Sequence, residues 1–338
     1  MAASLPLPQG RSVMPGRTRA LMFAAALLPA AVLSFAWALV AGELPISAAE
    51  VVAALGGSDG MAAQVVRELR LPRAVATFAC GGLLALAGGL MQVLLRNPLA
   101  DPYILGISGG AAVGALAAIT AGSAALWIDA GAFAGALAAM LMVFGLAHGD
   151  GSWTQTRLLL TGVIVAAGCG AAVTLMLAMA PETRVQSMLF WLMGDASGAA
   201  RPWPALGVLV AGLLLVAPHA RDLNVLTRGE LNARALGVRV DRLRRVLYLF
   251  ASMFTAVAVT LVGSVGFVGL IVPHLVRLAL GNDQRVLLPA AALSGGILLT
   301  VADTAARTVM APQQLPVGVL TALIGVPVFL FLLARHPR

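Results

Sequence analysis

The chain has 338 residues, of which 60% are apolar and only 11% are charged, and its formal net charge is +8. A soluble domain carries about twice that share of charged residues, so the composition excludes a soluble globular protein, and its apolar content excludes a disordered one. All 22 Lys-plus-Arg positions are arginine. Because a Walker A loop requires a lysine at the nucleotide phosphates, the chain is not a P-loop ATPase, and we predict a multi-pass membrane protein.

Apolar runs long enough to cross a hydrocarbon core of about 30 Å recur along the chain. They predict an all-α protein with about ten transmembrane helices, of which the eighth is short and rich in glycine. The first run is longer than the apolar segment of a signal peptide, so we predict a retained span that follows a cytoplasmic tail of residues 1–19. The predicted spans are 20–41, 73–95, 103–121, 130–147, 157–180, 188–217, 244–263, 266–281, 286–306 and 315–334.

The distribution of arginine predicts the orientation of these spans. If the N-terminus is inside, sixteen of the 22 arginines fall in inner segments and six in outer ones, so the positive-inside rule favours an N-in, C-in arrangement. The densest inner cluster lies in residues 221–245, which we interpret as a cytoplasmic docking surface. The whole chain, residues 1–338, is interpreted as a single transmembrane domain.

Small residues recur at a spacing of four and predict closely packed helix pairs. Gly110 and Gly114 form one such pattern, and Gly131 and Gly135 form another. These patterns carry no information about substrate.

The residue types that usually perform chemistry do not cluster in this sequence. Cys80 and Cys169 lie in apolar runs and offer no disulfide framework. The histidines have no helical ligand spacing and no nearby cysteine or carboxylate cluster, so we expect no metal site and no enzymatic activity. The histidines are His148, His219, His274 and His336.

One carboxylate, Asp303, lies well inside a predicted span, four residues before Arg307. An Asp–Arg pair at this spacing is favourable on a helix, so local pairing is the expected role. An ion-coupling carboxylate at the middle of the membrane would mark a gradient-driven carrier. Its absence weakens secondary transport without excluding it.

Two polar regions stand out from the apolar background. Arg70 and Arg73 precede the second span, and a polar turn at Asn97–Pro102 follows it. Glu230–Val238 is predicted to be a short amphipathic helix that stops at Gly237. On spacing alone, interfacial anchoring by arginine explains the first region as well as a functional role does, and a solvated loop helix explains the second equally well.

Together these segments resemble the permease subunits of the vitamin B12, haem and ferric-siderophore ABC importers, the FecCD family. The matching pieces occur in family order over nearly the whole chain. They are Arg70–Arg73, Asn97–Pro102, Leu236–Val238, Val265–His274, Leu315–Val319 and Gly325–Pro327.

The resemblance implies a vitamin B12 permease-like importer fold in the bacterial inner membrane. The permease would pair with a second copy of itself, two cytoplasmic ATP-binding subunits and one periplasmic binding protein, with lipid around it and no nucleic acid. ATP and Mg would bind to the ATPase, and this chain would hold no cofactor. The cargo would be a metal chelate moved from periplasm to cytoplasm, and the motifs do not distinguish ferric siderophore, haem and cobalamin.

The resemblance also implies roles for individual residues in docking, coupling and gating. The outer residues expected to receive glutamates of the binding protein are Arg70, Arg73 and Arg307. The cytoplasmic loop 221–243 would couple to the ATPase, and the residues expected to do so are Glu230, Ala233, Leu236, Gly237 and Val238. The residues expected at the inner gate are Asn97, Leu99, Gln155 and Thr156.

Two other interpretations remain open at this point. The first is an ion-gradient-driven secondary transporter of the same substrate class, which would need a discontinuous polar helix; the glycine-rich stretch 263–270 is the one place for it. The second is a scaffold subunit whose loops recruit partners, against which the polar turn at Asn97–Pro102 argues.

Overall fold

The structure is a computed structural model that describes residues 16–147, 154–199 and 201–335. Within these ranges the regular secondary structure is helical, without a β-strand, which confirms the predicted all-α class. Most of the predicted tail, residues 1–15, lies outside the described residues, as do His148 and His336. Residues 16–19 of that tail already belong to the first helix.

The described ranges contain fifteen α-helices, and a π-helical segment at Val65–Arg70 joins α3 and α4 into one continuous helix. Short 3-10 segments occur at Pro102–Leu105 and Ala217–His219. The helices are α1 Gly16–Val40, α2 Ala48–Leu55, α3 Met61–Gln64, α4 Leu71–Leu94, α5 Ile107–Thr120, α6 Ala125–Ala147, α7 Gln155–Met179, α8 Glu182–Met193, α9 Trp203–Val216, α10 Ala220–Leu226, α11 Glu230–Ala235, α12 Val240–Val262, α13 Val268–Leu280, α14 Gln284–Thr308 and α15 Val317–Arg335.

Six helical stretches among the described residues are long and apolar enough to cross a membrane. Four shorter apolar helices accompany them, within α1, α5, α13 and α15. The predicted continuous span at 188–217 is wrong, because the helix stops at Gly194, whose φ of 80° is in the left-handed region. A turn follows in which the Asp195 carboxylate accepts the backbone N–H of Ser197, and α9 begins only after Pro202.

Helix α4 is the centre of the bundle. In the continuous helix Met61–Leu94, 94% of the most apolar 18-residue stretch is buried inside the protein. Its glycines permit this burial, because a Cβ at Gly81 would overlap the backbone of Gly295 on α14, and one at Gly88 would overlap that of Gly269 on α13. Backbones therefore meet directly where lipid supplies no hydrophobic force between helices.

The small-residue patterns predicted on α5 and α6 meet each other. Gly110 lies against the backbone of Gly135, and Gly114 lies against that of Gly131. The expectation of a close helix pair is confirmed here.

Helix α7 is the least buried of the six long apolar helical stretches. Only 17% of its most apolar 18-residue stretch is buried. Leu160, Val163, Ile164 and Leu175 are exposed on it. This apolar surface is left for lipid or for another protein chain.

Candidate functional sites

Arg70 lies at the last position of the π-helical segment, and its side chain is buried. Its Nη1 donates to the carbonyl oxygens of Leu39 and Val40 at 2.8 and 2.7 Å, and its Nη2 donates to that of Leu44 at 2.5 Å. The last carbonyls of a helix have no intrahelical partner. Arg70 therefore caps the C-terminal carbonyls of α1 and also binds the loop that follows this helix.

Arg73 forms the strongest polar contact between α4 and α14. Its Nε and Nη2 each lie 2.9 Å from a carboxylate oxygen of Asp303, and its Nη1 donates to Gln314 Oε1 at 2.9 Å. The Asp303 side chain is only 3% exposed. A bidentate arginine–carboxylate pair is both strong and directional, so it fixes the start of α4 to the last turns of α14.

Arg307 completes this cluster. Its Nη2 donates to the carbonyl oxygen of Ala38, and its Nε lies 4.0 Å from Asp303 Oδ2. The expected local pair of Asp303 and Arg307 is thus present, but it is the longer of two contacts, and the nearer partner is Arg73. Sequence spacing does not indicate this pairing, because 230 positions separate Arg73 from Asp303.

The structure brings the three predicted docking arginines to a single cavity of about 500 Å³. Glu43, Glu68 and Gln314 also line it. Each guanidinium is already held by main-chain carbonyls or by Asp303. Arg70 and Arg307 are buried and the Arg73 side chain is only 12% exposed, so the three arginines here hold the chain's own groups, and their role in docking stays a prediction.

The predicted gate residues lie around the turn that ends α4. Gln155, the first residue of α7, donates through Nε2 to the carbonyl oxygen of Leu94 at 2.8 Å. The Asn97 side chain accepts the backbone N–H of Leu99 at 2.9 Å, which stabilises the turn. Thr156 is exposed and forms no side-chain hydrogen bond to the described residues, so Gln155 and not Thr156 ties the start of α7 to the end of α4.

The predicted amphipathic helix is present as α11, and Gly237, with a φ of 82°, ends the segment. Leu236 is 71% exposed and Leu231, which the sequence analysis did not single out, is 85% exposed. These two leucines form the apolar surface of the segment. The predicted contact of Ala233 with a partner needs correction, because Ala233 is fully buried and packs within the chain.

Glu230 also faces the chain itself. Its Oε2 lies 2.7 Å from Arg244 Nη2 and its Oε1 lies 3.0 Å from Arg234 Nη2, while Arg234 also binds Asp241 at 3.1 Å. The hydrogen bond from Arg234 is the largest cause that lowers the pKa of Glu230, and Arg244 adds to it. Glu230 therefore ties α11 to the start of α12, so that the two move together.

Among the described residues, no group of three or more His, Cys, Asp or Glu side chains could hold a metal ion. Cys80 and Cys169 are both free thiols. His219 Nδ1 lies 3.2 Å from the carbonyl oxygen of Leu215, near the end of α9, as expected for a helix C-terminus.

Comparison with known proteins agrees with this arrangement. Residues 30–335 match the FecCD transport family. The chain is 45% identical over 303 residues to the cobalamin import system permease protein of Halobacterium salinarum, covering 87% of this chain and 81% of that one. It is 37% identical over 276 residues to the vitamin B12 import system permease protein of Escherichia coli, covering 81% and 84%.

A solved structure of a metal-chelate type ABC transporter in an inward-facing conformation has the same fold. It superposes with a TM-score of 0.82 at 29% identity, covering 92% of this chain and 98% of that one. The two sequence relatives are permease proteins of import systems, and the solved structure is that of an ABC transporter. The chain is a member of the FecCD transport family, a multi-pass inner-membrane permease subunit of an ABC importer.

Proposed function

We propose that this permease carries cobalamin or a closely related metal chelate from periplasm to cytoplasm. The observation that carries the proposal is the 45% identity to a cobalamin import permease over 303 residues. A second cobalamin permease, at 37% identity, supports it. Haem and ferric siderophores remain the competing cargoes.

The proposed assembly is a homodimer with two cytoplasmic ATP-binding subunits and a periplasmic binding protein. We propose ten spans in each subunit with both termini inside. The six long and four shorter apolar helices and the excess of arginine in the inner segments support this topology. The exposed apolar surface of α7 is a suitable interface for the second copy, because large apolar patches commonly mark contacts between proteins.

In the proposed transport cycle each site has one task. The binding protein docks through its glutamates at the cavity of Arg70, Arg73 and Arg307. The ATPase binds the exposed leucines, Leu231 and Leu236, and the Glu230–Arg244 pair passes movement of α11 to α12. The turn at Asn97 and Leu99, held to α7 by Gln155, closes the inner end of the pathway.

The chain needs no cofactor for this task, and ATP with Mg binds to the partner ATPase. Secondary transport is not supported. Asp303 lies inside a span, but its carboxylate is already paired with two arginines of the chain itself, so its oxygens hold cations that the chain supplies.

The test is transport in proteoliposomes that contain the permease and its co-expressed ATPase. Binding protein loaded with cobalamin, haem or a ferric siderophore is added in turn, and ATP hydrolysis and uptake are measured. We expect cobalamin to give the largest stimulation. Greater stimulation by haem or a siderophore would contradict the assignment of cobalamin as the cargo. Uptake that needs no ATPase would contradict the importer mechanism.

The same transport assay is repeated with the variant Leu236→Asp, and Leu236→Met is its control. The aspartate places a charge on the exposed leucine surface, and the methionine keeps it apolar and of similar size. We expect ATP-driven uptake to be lost in the first variant and retained in the second.

A further inference from the structure

A basic cavity of about 620 Å³ lies beside α10 and the first turns of α12. We name it the α10–α12 cavity. Under the proposed topology, this end of the bundle lies at the cytoplasmic leaflet. The lining of the cavity combines cationic and apolar side chains, which are Arg221, Arg239, Arg242, Val225, Leu243 and Val246.

The three arginines of this cavity are exposed. None of them has a side-chain hydrogen bond or ion pair with another described residue, whereas the nearby Arg234 and Arg244 are both paired with carboxylates. Asp222 also lines the cavity but makes no ion pair with these arginines. The lining therefore carries excess positive charge that the described residues leave unmatched.

The arginines continue into an apolar strip along α12. Arg242, Val246, Leu249 and Met253 follow one another at spacings of four, three and four residues, which places them on one face of the helix. Leu249 and Met253 are exposed large apolar residues. At 1.5 Å per residue, this strip is about 16 Å long, close to half of a hydrocarbon core of about 30 Å.

The opposite wall of the strip comes from α9 and the 3-10 segment after it. His219 packs edge-on against Phe250 of α12, with 6.3 Å between ring centroids. Leu214 and Leu215 of α9 are exposed. The surface thus has a charged end of headgroup size and an apolar stretch as deep as a single leaflet.

We propose that the α10–α12 cavity binds the phosphate headgroup of an anionic membrane lipid, with an acyl chain along the α12 strip. Basic pockets between membrane helices at the cytoplasmic side suit such headgroups. Leu236 and Gly237 line the same cavity, so an ATPase subunit is the competing occupant. A lipid fits better, because the strip continues into the hydrocarbon where a soluble subunit does not reach.

The test counts lipids bound to the purified full-length chain by native mass spectrometry. Phosphatidylglycerol and phosphatidylcholine with identical acyl chains are titrated separately in mild detergent. The variant is Arg221→Gln with Arg239→Gln and Arg242→Gln. The control, Arg157→Gln with Arg228→Gln and Arg285→Gln, removes the same charge at exposed arginines outside the cavity. We expect about a fivefold loss of bound phosphatidylglycerol in the variant, less than twofold in the control, and no change in phosphatidylcholine.

A second variant, Leu249→Ser with Met253→Ser, keeps the arginines and removes the apolar strip. We expect it to weaken phosphatidylglycerol binding about threefold, and we expect glycerol 1-phosphate, the headgroup without chains, not to displace the lipid. Equal losses in the triple variant and its control would overturn the proposal. So would displacement by glycerol 1-phosphate, or a triple variant that keeps its lipid but fails to capture the ATPase.

Discussion

Arg73 and Asp303 form a bidentate ion pair between the start of α4 and the last turns of α14, with two N–O distances of 2.9 Å. Arg307, one turn after Asp303, approaches the same carboxylate at 4.0 Å. One buried carboxylate therefore serves two of the three arginines proposed to dock the binding protein. Docking and the packing of α4 against α14 depend on the same few atoms.

Asp303→Asn is expected to destabilise the permease by about 3–5 kcal/mol, since it leaves buried arginine charge without its partner. A lower midpoint of thermal unfolding in detergent would report this loss. Asp59→Asn is the control, because Asp59 is fully exposed and lies 3.8 Å from Arg67. Addition of Arg73→Gln to Asp303→Asn should recover some of the loss. A midpoint equal to that of the wild type would contradict the role of the pair.

Substitutions within Glu230–Val238 should distinguish the loss of a surface contact with a partner from the loss of packing inside the chain. Leu231→Asp and Leu236→Asp are expected to reduce capture of the ATPase at least tenfold, because each places a charge on the apolar surface proposed to bind it. Neither should lower the thermal midpoint. Ala233→Asp, at a fully buried position, should instead lower the midpoint. If all three variants unfold alike, the proposed leucine surface is wrong.

Gln155→Leu should loosen the inner gate. The variant removes the hydrogen bond to the Leu94 carbonyl, and a net loss of about 1 kcal/mol corresponds to about a fivefold shift in an open–closed equilibrium. Leakage of a fluorescent chelate from proteoliposomes without ATP would measure it. Thr156→Val, at the adjacent exposed position, is the control and should leak like the wild type. Equal leakage in both variants would contradict the role of Gln155.

The ion pairs of Glu230, which hold α11 to α12, should weaken over a defined range of pH. Arg234 and Arg244 hold the pKa of Glu230 below its ordinary value of 4.5. A lowered carboxylate pKa contributes stability that is complete above the ordinary value and is lost as pH falls through the lowered one. Amide-exchange protection of α11, corrected for intrinsic rates, should therefore be constant from about pH 7 to pH 5 and fall below 4.5. Glu230→Gln should remove that fall, whereas Glu43→Gln should not.

The contact between α4 and α14 should not tolerate one added methyl group. Gly81→Ala places a Cβ into the backbone of Gly295, and overpacking of this kind costs about 1–3 kcal/mol. Gly145→Ala is the control, since a Cβ there meets open space and a helix gains from alanine. Thermal unfolding should show a lower midpoint for the first variant and an unchanged or higher one for the second. A tolerated Gly81→Ala would show that the two helices are more loosely packed than described.

The sequence predicted the local features well, because they depend on neighbouring residues. The apolar runs, the helix at Glu230–Ala235 and the small-residue pattern of Gly110 and Gly114 follow from composition and periodicity. The break at Gly194 was missed although Asp195, Ser197 and Pro202 follow it and favour a turn, because the apolar residues before and after this polar stretch were joined into one span. The pairing of Arg73 with Asp303 and the burial of Ala233 depend on which helices become neighbours, which one sequence does not reveal.

The near-complete enclosure of α4 has a consequence for biosynthesis. Its main small-residue neighbour, α14, is made only after most of the chain has left the ribosome. At ordinary translation rates of about 5–20 residues per second, α4 spends roughly ten seconds or more in the membrane without it. During that time its glycine-lined surface faces lipid or a transient protein neighbour. Synthesis that stops before α14 is complete therefore leaves the centre of the permease open, so this subunit cannot mature before α14 has been made.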